Sequence, residues 1–164
     1  MKRMWSPWRS GYIETFTNRP TKKKGKESLF SAALRSNDDD RHFIVWRGKH
    51  SFVIMNLYPY NSGHLMIVPY RQVSRFEDLR TEECDEIMKT AQRAIKALKK
   101  IVRPDGFNFG ANIGRASGAG IDQHIHFHIV PRWNGDTNFM PVLTDTKVIS
   151  EDMKKTLKKL RKVF

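Results

Sequence analysis

The stretch QHIHFHIVPRW, residues 123–133, decides the fold class of this chain and the character of its functional site. Successive side chains of a β-strand point to opposite faces, so residues two apart share a face. The intervening residues are β-branched or aromatic, which is typical of a strand with its apolar side in the core. Three imidazoles are therefore predicted to line the other face of this strand. They belong to His124, His126 and His128.

Three interpretations of this row are open. It is a polar strand face that happens to be rich in histidine, a transition-metal site, or a site where histidine acts as nucleophile and phosphate ligand. A metal site needs further ligands and outer acceptors, and the one nearby acid, Asp122, equally suits a turn. We favour the third interpretation, because imidazoles seldom align without a ligand or a reaction to serve.

At 164 residues and 19.2 kDa, the chain has the size of one domain with its own core. Hydrophobic residues make up 39% of it, and no apolar run approaches the ~18 residues that a membrane helix requires. The first residues lack the apolar run of a signal peptide. The single cysteine, Cys84, excludes an intramolecular disulfide. We therefore expect a soluble, cytoplasmic protein without membrane attachment.

The formal net charge of +13, from 30 basic and 17 acidic residues, favours polyanionic partners. Much of the excess lies in two runs, at residues 22–26 and 154–162. Such runs are more often solvated faces than binding sites. A basic nucleic-acid-binding protein without catalysis is therefore kept as an alternative function and is not favoured.

We predict a single α+β domain in three parts. Residues 1–27 form an aromatic and basic arm with a charged linker, residues 28–133 form the core that carries the site, and residues 134–164 form an extension that ends in a helix. Five apolar runs predict the strands of an antiparallel sheet, at residues 41–47, 51–57, 64–68, 107–113 and 125–131.

Three helices complete the prediction. A short one is expected from Ser28, as its N-cap, to about Arg35. Apolar residues at spacings of three and four, Met88 among them, predict a long helix from Thr81, as its N-cap, to about Lys100. A third amphipathic helix is expected over residues 150–162.

The segment NIGRASGAGIDQ, residues 112–123, directly precedes the histidines and is rich in glycine. Glycines permit tight turns and a close approach of the backbone to an anion. Backbone N–H groups and the hydroxyl of Ser117 are the donors that a phosphate would need. The segment is therefore predicted to be a phosphate cradle.

The stretch HIHFHIV resembles the hallmark of the histidine triad family of nucleotidyl transferases and hydrolases. Residues 52–73, FVIMNLYPYNSGHLMIVPYRQV, are similar to the strand, turn, Gly-His and strand segment of that family. The two stretches together cover roughly residues 42–133. The stretches MWSPWRSGYI and PRWNGDTNFMPVL further resemble the bacterial branch with diadenosine polyphosphate phosphorylase or hydrolase activity.

The resemblance implies unequal roles for the three histidines. His126 is implied to attack an α-phosphate and to form a nucleotidyl-histidine intermediate. His128 is implied to contact the scissile phosphate or the leaving oxygen. We interpret His124 as an orienting or packing residue. His64, in the Gly-His step, is a supporting member of the polar network.

The resemblance also implies a set of substrate-binding residues. Nonbridging phosphate oxygens would be held by Asn112, Ser117, Gly118 and Gly120. Asn56 would hold ribose hydroxyls, although an Asn before YPY equally caps a turn. Gln123 and Arg132 could reach phosphates or merely end a strand, and Trp133 could stack on a base or belong to the core or an interface.

One departure from the family pattern concerns a structural zinc site. The positions that match the bacterial ligands are Ser28, Ser31 and Gln72, which leaves only His124 with a suitable donor. We therefore expect no structural zinc and no required cofactor, with Mg²⁺ arriving only with the nucleotide. The family also implies a homodimer.

The sequence thus predicts an enzyme that cleaves dinucleoside polyphosphates, such as diadenosine tetraphosphate, at an α-phosphate through His126. Whether phosphate or water resolves the intermediate is left open by the residues. A nucleoside phosphoramidate hydrolase on the same fold is the nearest alternative.

Overall fold

Five antiparallel strands form one sheet in the part of the chain that the computed structural model describes, residues 27–137 and 152–164. The spatial order is β1-β2-β3-β5-β4, so the first three strands form a meander and β5 enters between β3 and β4. The bounds are β1 (Ile44–Arg47), β2 (Ser51–Met55), β3 (Leu65–Pro69), β4 (Gly106–Ala111) and β5 (Phe127–Arg132). The predicted α+β fold with a five-stranded antiparallel sheet is therefore confirmed.

Three α-helices accompany the sheet: α1 (Leu29–Arg35), α2 (Thr81–Val102) and α3 (Met153–Val163). Ser28 caps α1 as predicted, since its hydroxyl accepts the backbone N–H of Ser31 at 3.0 Å. Most of the arm, residues 1–26, and part of the extension, residues 138–151, lie outside the described residues. The predicted division of the chain into three parts therefore stays a prediction.

The prediction of Thr81 as the N-cap of α2 is wrong by one residue. Arg80 occupies that position, and its backbone N–H is bonded to the carboxylate of Glu83 at 2.8 Å. The cap thus relies on a side chain one turn into the helix and does not need the threonine hydroxyl. Met88, predicted on the apolar stripe of α2, is 53% exposed.

The histidine strand begins later than predicted, because its neighbour β3 cannot continue the ladder. The register pairs Leu65 with Ile129 and Ile67 with Phe127. Hydrogen-bonded pairs alternate along an antiparallel ladder, so the next hydrogen-bonded pair would join Pro69 to Ile125. Proline has no N–H to offer, and the N–H of Ile125 turns instead to the carbonyl of Val73 at 2.6 Å. Regular pairing therefore starts at Phe127, and only one of the three histidines lies within β5.

Apolar and imidazole side chains still alternate between the two faces of the sheet in this irregular segment. Ile125, Phe127 and Ile129 belong to the main core cluster, which packs against α2 and α3 on one face of the sheet. The other face carries a smaller cluster that contacts α1, and it includes Phe30, Ile44, Phe52, Ile54, Met66 and Val68. The sheet therefore separates a helical layer from the face on which the histidines lie.

Within the described ranges, none of the helices combines the length and the apolar character that crossing a bilayer requires.

Glu86 on α2 fastens the helical layer to the turn between β1 and β2. Its carboxylate accepts the backbone N–H groups of Lys49 at 3.1 Å, His50 at 2.9 Å and Ser51 at 2.7 Å. The Ser51 hydroxyl donates to the same carboxylate at 2.7 Å. Four donors therefore depend on one side chain.

We predict that Glu86→Ala lowers the free energy of unfolding by about 2 kcal/mol, because partly buried donors lose a charged acceptor. The neighbouring exposed carboxylate offers a matched control, and Asp85→Ala should change stability by less than about 0.5 kcal/mol. Urea unfolding followed by circular dichroism measures both. Equal stability of the two variants would contradict the role of Glu86.

Candidate active site

Four histidines cluster on the face of the sheet opposite α2 and α3. His64 precedes β3, His128 lies in β5, and the other two lie in the irregular segment before β5. All four are buried, with exposed fractions of at most 8%. Their ring nitrogens must therefore find partners within the protein or on a ligand.

The partner of His126 fixes the tautomer of its ring. Nδ1 lies 2.9 Å from the backbone carbonyl of His124. A carbonyl oxygen only accepts, so Nδ1 carries the proton and the neutral ring keeps its lone pair on Nε2. His126 therefore offers an unprotonated nitrogen as a nucleophile.

A chain of two hydrogen bonds fixes the opposite tautomer in His128. The backbone N–H of Tyr60 donates to Nδ1 of His64 at 3.0 Å, so Nε2 of the neutral His64 ring carries the proton. That nitrogen donates to Nδ1 of His128 at 2.9 Å. The neutral ring of His128 is therefore protonated on Nε2.

His126 and His128 thus present complementary nitrogens side by side. Their ring centroids are 4.9 Å apart with an interplanar angle of 73°. Nε2 of His128 is a buried donor that has no partner among the described residues. A buried N–H without a partner, next to a lone pair, is suited to an oxyanion that arrives with a ligand.

Burial keeps all three triad rings neutral. Desolvation, with a smaller effect of the adjacent His126, lowers the pKa of His128 to about 4. Burial also lowers the pKa of His126 and that of His124, against the raising effect of their bonds to backbone carbonyls. At neutral pH the Nε2 lone pair of His126 is therefore free of a proton.

A cavity of about 430 Å³ opens beside His128. Among the predicted site residues, Asn112 and Arg132 also line it, whereas His126 does not line it and lies next to His128. Tyr60, Asn108 and Thr137 are the other polar residues of its wall. The cavity has room for a nucleotide-sized ligand at the nitrogen of His128 that lacks a partner.

Arg132 has partners within the protein. Its guanidinium donates to Asp136 through Nε at 2.6 Å and Nη2 at 2.7 Å, and to Asn108 through Nη1 at 2.9 Å. The bond to Asp136 raises the pKa of Arg132 and lowers that of the acid. Arg132 therefore lines the cavity as half of an ion pair and not as a free cation.

Asn56 and Trp133 are also held by the protein. The Asn56 side chain accepts the N–H of Tyr58 at 3.0 Å, which is the turn-capping alternative, and its Nδ2 lies 3.3 Å from Nδ1 of His64. The Trp133 indole donates to the carbonyl of Arg103 at 3.2 Å and is not among the residues that line the cavity. Base stacking by Trp133 thus gains no support here.

The glycine-rich segment forms a loop closed by an ion pair between Arg115 and Asp122 at 3.3 Å. Gly118 adopts a left-handed conformation with φ of 91° and ends a short 3₁₀ turn. The Ser117 hydroxyl lies 2.7 Å from the carbonyl of Gly114, so it bonds its own loop. Gly120 and Gln123 follow in the turns that lead to the histidines. Their phosphate-binding roles stay predictions.

The four positions that match the family's zinc ligands do come together. Ser28 N–H donates to Oε1 of Gln72 at 2.9 Å, and the Ser31 hydroxyl lies 3.3 Å from the same oxygen. Nδ1 of His124 lies 2.6 Å from the Ser28 hydroxyl. Hydroxyl and amide oxygens are poor zinc ligands, and the one imidazole already bonds on both nitrogens, so these residues do not fit zinc.

The basic residues of the run 154–162 lie on α3, which packs on the opposite face of the sheet. They therefore do not contribute to the histidine site. The other basic run, residues 22–26, lies outside the described residues.

Sequence reasoning missed Tyr60, Asn61 and Asp136. Tyr60 packs its ring 5.6 Å from that of His128, and the Asn61 amide donates to Asp136 at 2.7 Å. Tyr60 lies four residues before His64 in YPYNSGH, and Asp136 lies four residues after Arg132. These spacings of four residues are the signals in the sequence that could have indicated Tyr60 and Asp136.

Comparison with known proteins agrees with this geometry. Residues 37–135 match the HIT domain. The AP-4-A phosphorylase of Mycobacterium tuberculosis is 40% identical over 160 residues, which cover 95% of this chain and 80% of that protein. A bis(5'-adenosyl)-triphosphatase of Dictyostelium discoideum is 32% identical over 127 residues, covering 74% and 85% of the two chains.

Solved structures share the fold. The crystal structure of a zinc-bound histidine triad family protein from Mycobacterium smegmatis has a TM-score of 0.68, with 22% identity over 84% of this chain and 92% of that one.

The assigned tautomers and neutral rings give a spectroscopic prediction. Long-range ¹H–¹⁵N spectra at pH 7 should show Nδ1–H in His126 and Nε2–H in His128. Since a lowered pKa keeps a ring neutral until the pH falls through it, His128 should titrate near pH 4 and His126 below the usual 6.5. A ring of His126 protonated on Nε2, or titrating above 6.5, would contradict the assignment.

Proposed function

This chain belongs to the HIT family, the histidine triad proteins, and from that premise we propose that it cleaves dinucleoside polyphosphates at an α-phosphate through a covalent bond to His126. The observation that carries the proposal is the pair of opposite tautomers in His126 and His128, two buried neutral rings 4.9 Å apart. One ring offers a lone pair and the other an N–H donor. The relatives named as a phosphorylase and a triphosphatase of adenosine polyphosphates support the substrate class.

In the first step, Nε2 of His126 attacks the α-phosphorus as the P–O bond to the rest of the polyphosphate breaks. The ring gains a bond to phosphorus and becomes cationic, while its Nδ1–H stays bonded to the carbonyl of His124. That carbonyl faces the developing charge and stabilises it. With diadenosine tetraphosphate, the products of this step are adenylyl-His126 and ATP.

His128 serves the leaving oxygen in this proposal. His128 lines the cavity, its Nε2–H has no partner among the described residues, and the bond from His64 fixes its tautomer. A polyphosphate leaves as a stable anion, so a hydrogen bond suffices and full proton transfer is not needed. The low pKa of His128, about 4, is compatible with this neutral donor role.

In the second step, an acceptor oxygen attacks the same phosphorus and His126 leaves with its lone pair restored. We propose inorganic phosphate as this acceptor, on the strength of the relative named as a phosphorylase. Phosphate would convert the intermediate to ADP, and water would convert it to AMP. Mg²⁺ would arrive with the polyphosphate, and we place the reaction in the cytoplasm, as the single cysteine suggests.

We further propose a homodimer formed along β4. The two edges of the sheet differ, since β1 is covered by α3, whose Arg161 donates to the carbonyl of Ile44 at 2.7 Å. β4 is the other edge, it is six residues long, and its central residues are exposed. Phe109 on this edge is 41% exposed. A long exposed edge with an aromatic residue favours pairing with a second copy.

The covalent step is tested by incubation with diadenosine tetraphosphate, with and without phosphate. We expect ATP and ADP from the wild type when phosphate is present. His126→Asn should lose about 10⁴-fold or more in kcat, because the nucleophile is gone. His42→Asn, in the turn before β1 and not among the residues that line the cavity, is the matched control and should keep wild-type turnover.

Equal turnover by His126→Asn and the wild type would overturn the covalent mechanism. Formation of AMP in place of ADP at saturating phosphate would instead assign a hydrolase. An adenosine phosphoramidate that is cleaved faster than diadenosine tetraphosphate would favour the phosphoramidate hydrolase alternative.

The dimer is tested by sedimentation equilibrium at micromolar concentration, where we expect twice the chain mass of 19.2 kDa. Hydrogen exchange should be slow at the outward N–H groups of β4, because a paired edge is protected. A mass of one chain, with fast exchange along β4, would contradict the dimer.

A further inference from the structure

We infer that Ser28 is a positioning residue for the nucleophile His126 and acts on it through His124. The inference rests on the proposed role of His126. It concerns a hydrogen-bonded group that we call the serine clasp: Ser28, Ser31, Gln72 and His124.

The His124 ring is held from both sides. Nε2 lies 2.8 Å from the carbonyl of Pro69, which only accepts, so this nitrogen carries the proton. Nδ1 of the neutral ring is then an acceptor, and the Ser28 hydroxyl donates to it at 2.6 Å. Ser28 and His124 are both 0% exposed. Water therefore does not replace this bond, and its loss leaves a buried ring nitrogen without a partner.

The Ser28 hydroxyl is itself fixed in place. Its oxygen accepts the N–H of Ser31 at 3.0 Å as the cap of α1, while the backbone N–H of Ser28 donates to Gln72 at 2.9 Å. Gln72 follows β3, only three residues beyond Pro69. The clasp therefore ties the start of α1 and the end of β3 to the same imidazole.

The ring of His124 and its backbone serve two different partners. The ring belongs to the clasp, and the carbonyl of the same residue accepts Nδ1–H of His126 at 2.9 Å. Residues 124–126 lie outside the regular ladder of β5, so the sheet alone does not set the direction of that carbonyl. Anchoring the ring on both nitrogens holds the carbonyl that orients the nucleophile.

Packing supports the same arrangement. The ring of Phe30, two residues into α1, lies 5.6 Å from that of His124 and 5.1 Å from that of His126. Any shift of α1 therefore moves both the acceptor and the nucleophile. Ser28 fixes the position of α1 as its N-cap and the orientation of His124 as its donor.

The experiment removes the hydroxyl in two ways. Ser28→Ala and Ser28→Gly both lose the donor to His124 and the oxygen that caps α1. Helix N-caps tolerate glycine far better than alanine, so the glycine variant mainly reports the loss of the donor. Ser28→Thr retains the hydroxyl. Ser31→Ala is the matched control, because the Ser31 hydroxyl lies one turn along the same helix and bonds Gln72 and Ser28 but not His124.

We expect Ser28→Ala and Ser28→Gly to lower kcat about tenfold to hundredfold with KM within about twofold, since the nucleophile is misdirected while the cavity is intact. Ser28→Thr should recover most of the loss, and Ser31→Ala should stay within about twofold of wild type. Long-range ¹H–¹⁵N spectra should show a mixture of tautomers at His126 in the glycine variant.

Wild-type kcat in a folded Ser28→Gly variant, or an equal loss in Ser31→Ala, would overturn the inference. The spectra separate this outcome from failure of the proposed function. An inactive wild type would refute the reaction, while the ring of His126 would still report whether Ser28 orients it. A single Nδ1–H tautomer at His126 in both the wild type and Ser28→Gly would refute the positioning role.

Discussion

The backbone of Pro69 sets the geometry on which the site depends. In β3 the backbone N–H and carbonyl groups of the odd-numbered residues point toward β5. Those of the even-numbered residues point the other way, since the N–H of Tyr70 donates to the carbonyl of His50 at 2.9 Å. Pro69 therefore faces β5 with a carbonyl but without an N–H, and the ladder stops. Its carbonyl is left for the ring of His124 at 2.8 Å. The ladder with β4 also ends at Phe127, so residues 124–126 leave the sheet, and the Pro69 carbonyl supplies the first anchor of the histidine row.

Backbone groups and other imidazoles assign the proton of each ring, and carboxylates take no part in these bonds. The carbonyl of His124 keeps the proton of His126 on Nδ1. The N–H of Tyr60, acting through His64, keeps the proton of His128 on Nε2. A carboxylate partner would favour the imidazolium and raise the pKa, which would occupy the lone pair at neutral pH. Neutral partners and burial avoid this cost. The same three-residue pattern therefore contains a free lone pair on His126, an N–H donor on His128 and an anchored ring in His124.

The sequence predicted what depends on periodicity and on the chemistry of single residues. Alternation in QHIHFHIV correctly assigned Ile125, Phe127 and Ile129 to the core and the histidines to the other face. It could not predict that β5 starts at Phe127, because that depends on a proline in another strand. The sequence also could not predict that Arg132 pairs with Asp136, because a basic residue near a histidine suggests a phosphate partner just as readily. Tertiary pairing decided both cases.

The serine clasp satisfies the polar groups at the positions that match the zinc ligands of bacterial relatives. A tetrahedral zinc site needs thiolate and imidazole ligands, and Ser28, Ser31 and Gln72 supply neither. In the clasp, Ser28 donates to the ring and accepts the cap bond, while Gln72 accepts from the backbone of Ser28. Each polar group has a partner, so burial carries no unpaired atom. Replacing Ser28 alone would leave the ring of His124 without its donor and the N–H of Ser31 without its acceptor, which makes Ser28 the member on which the clasp depends most.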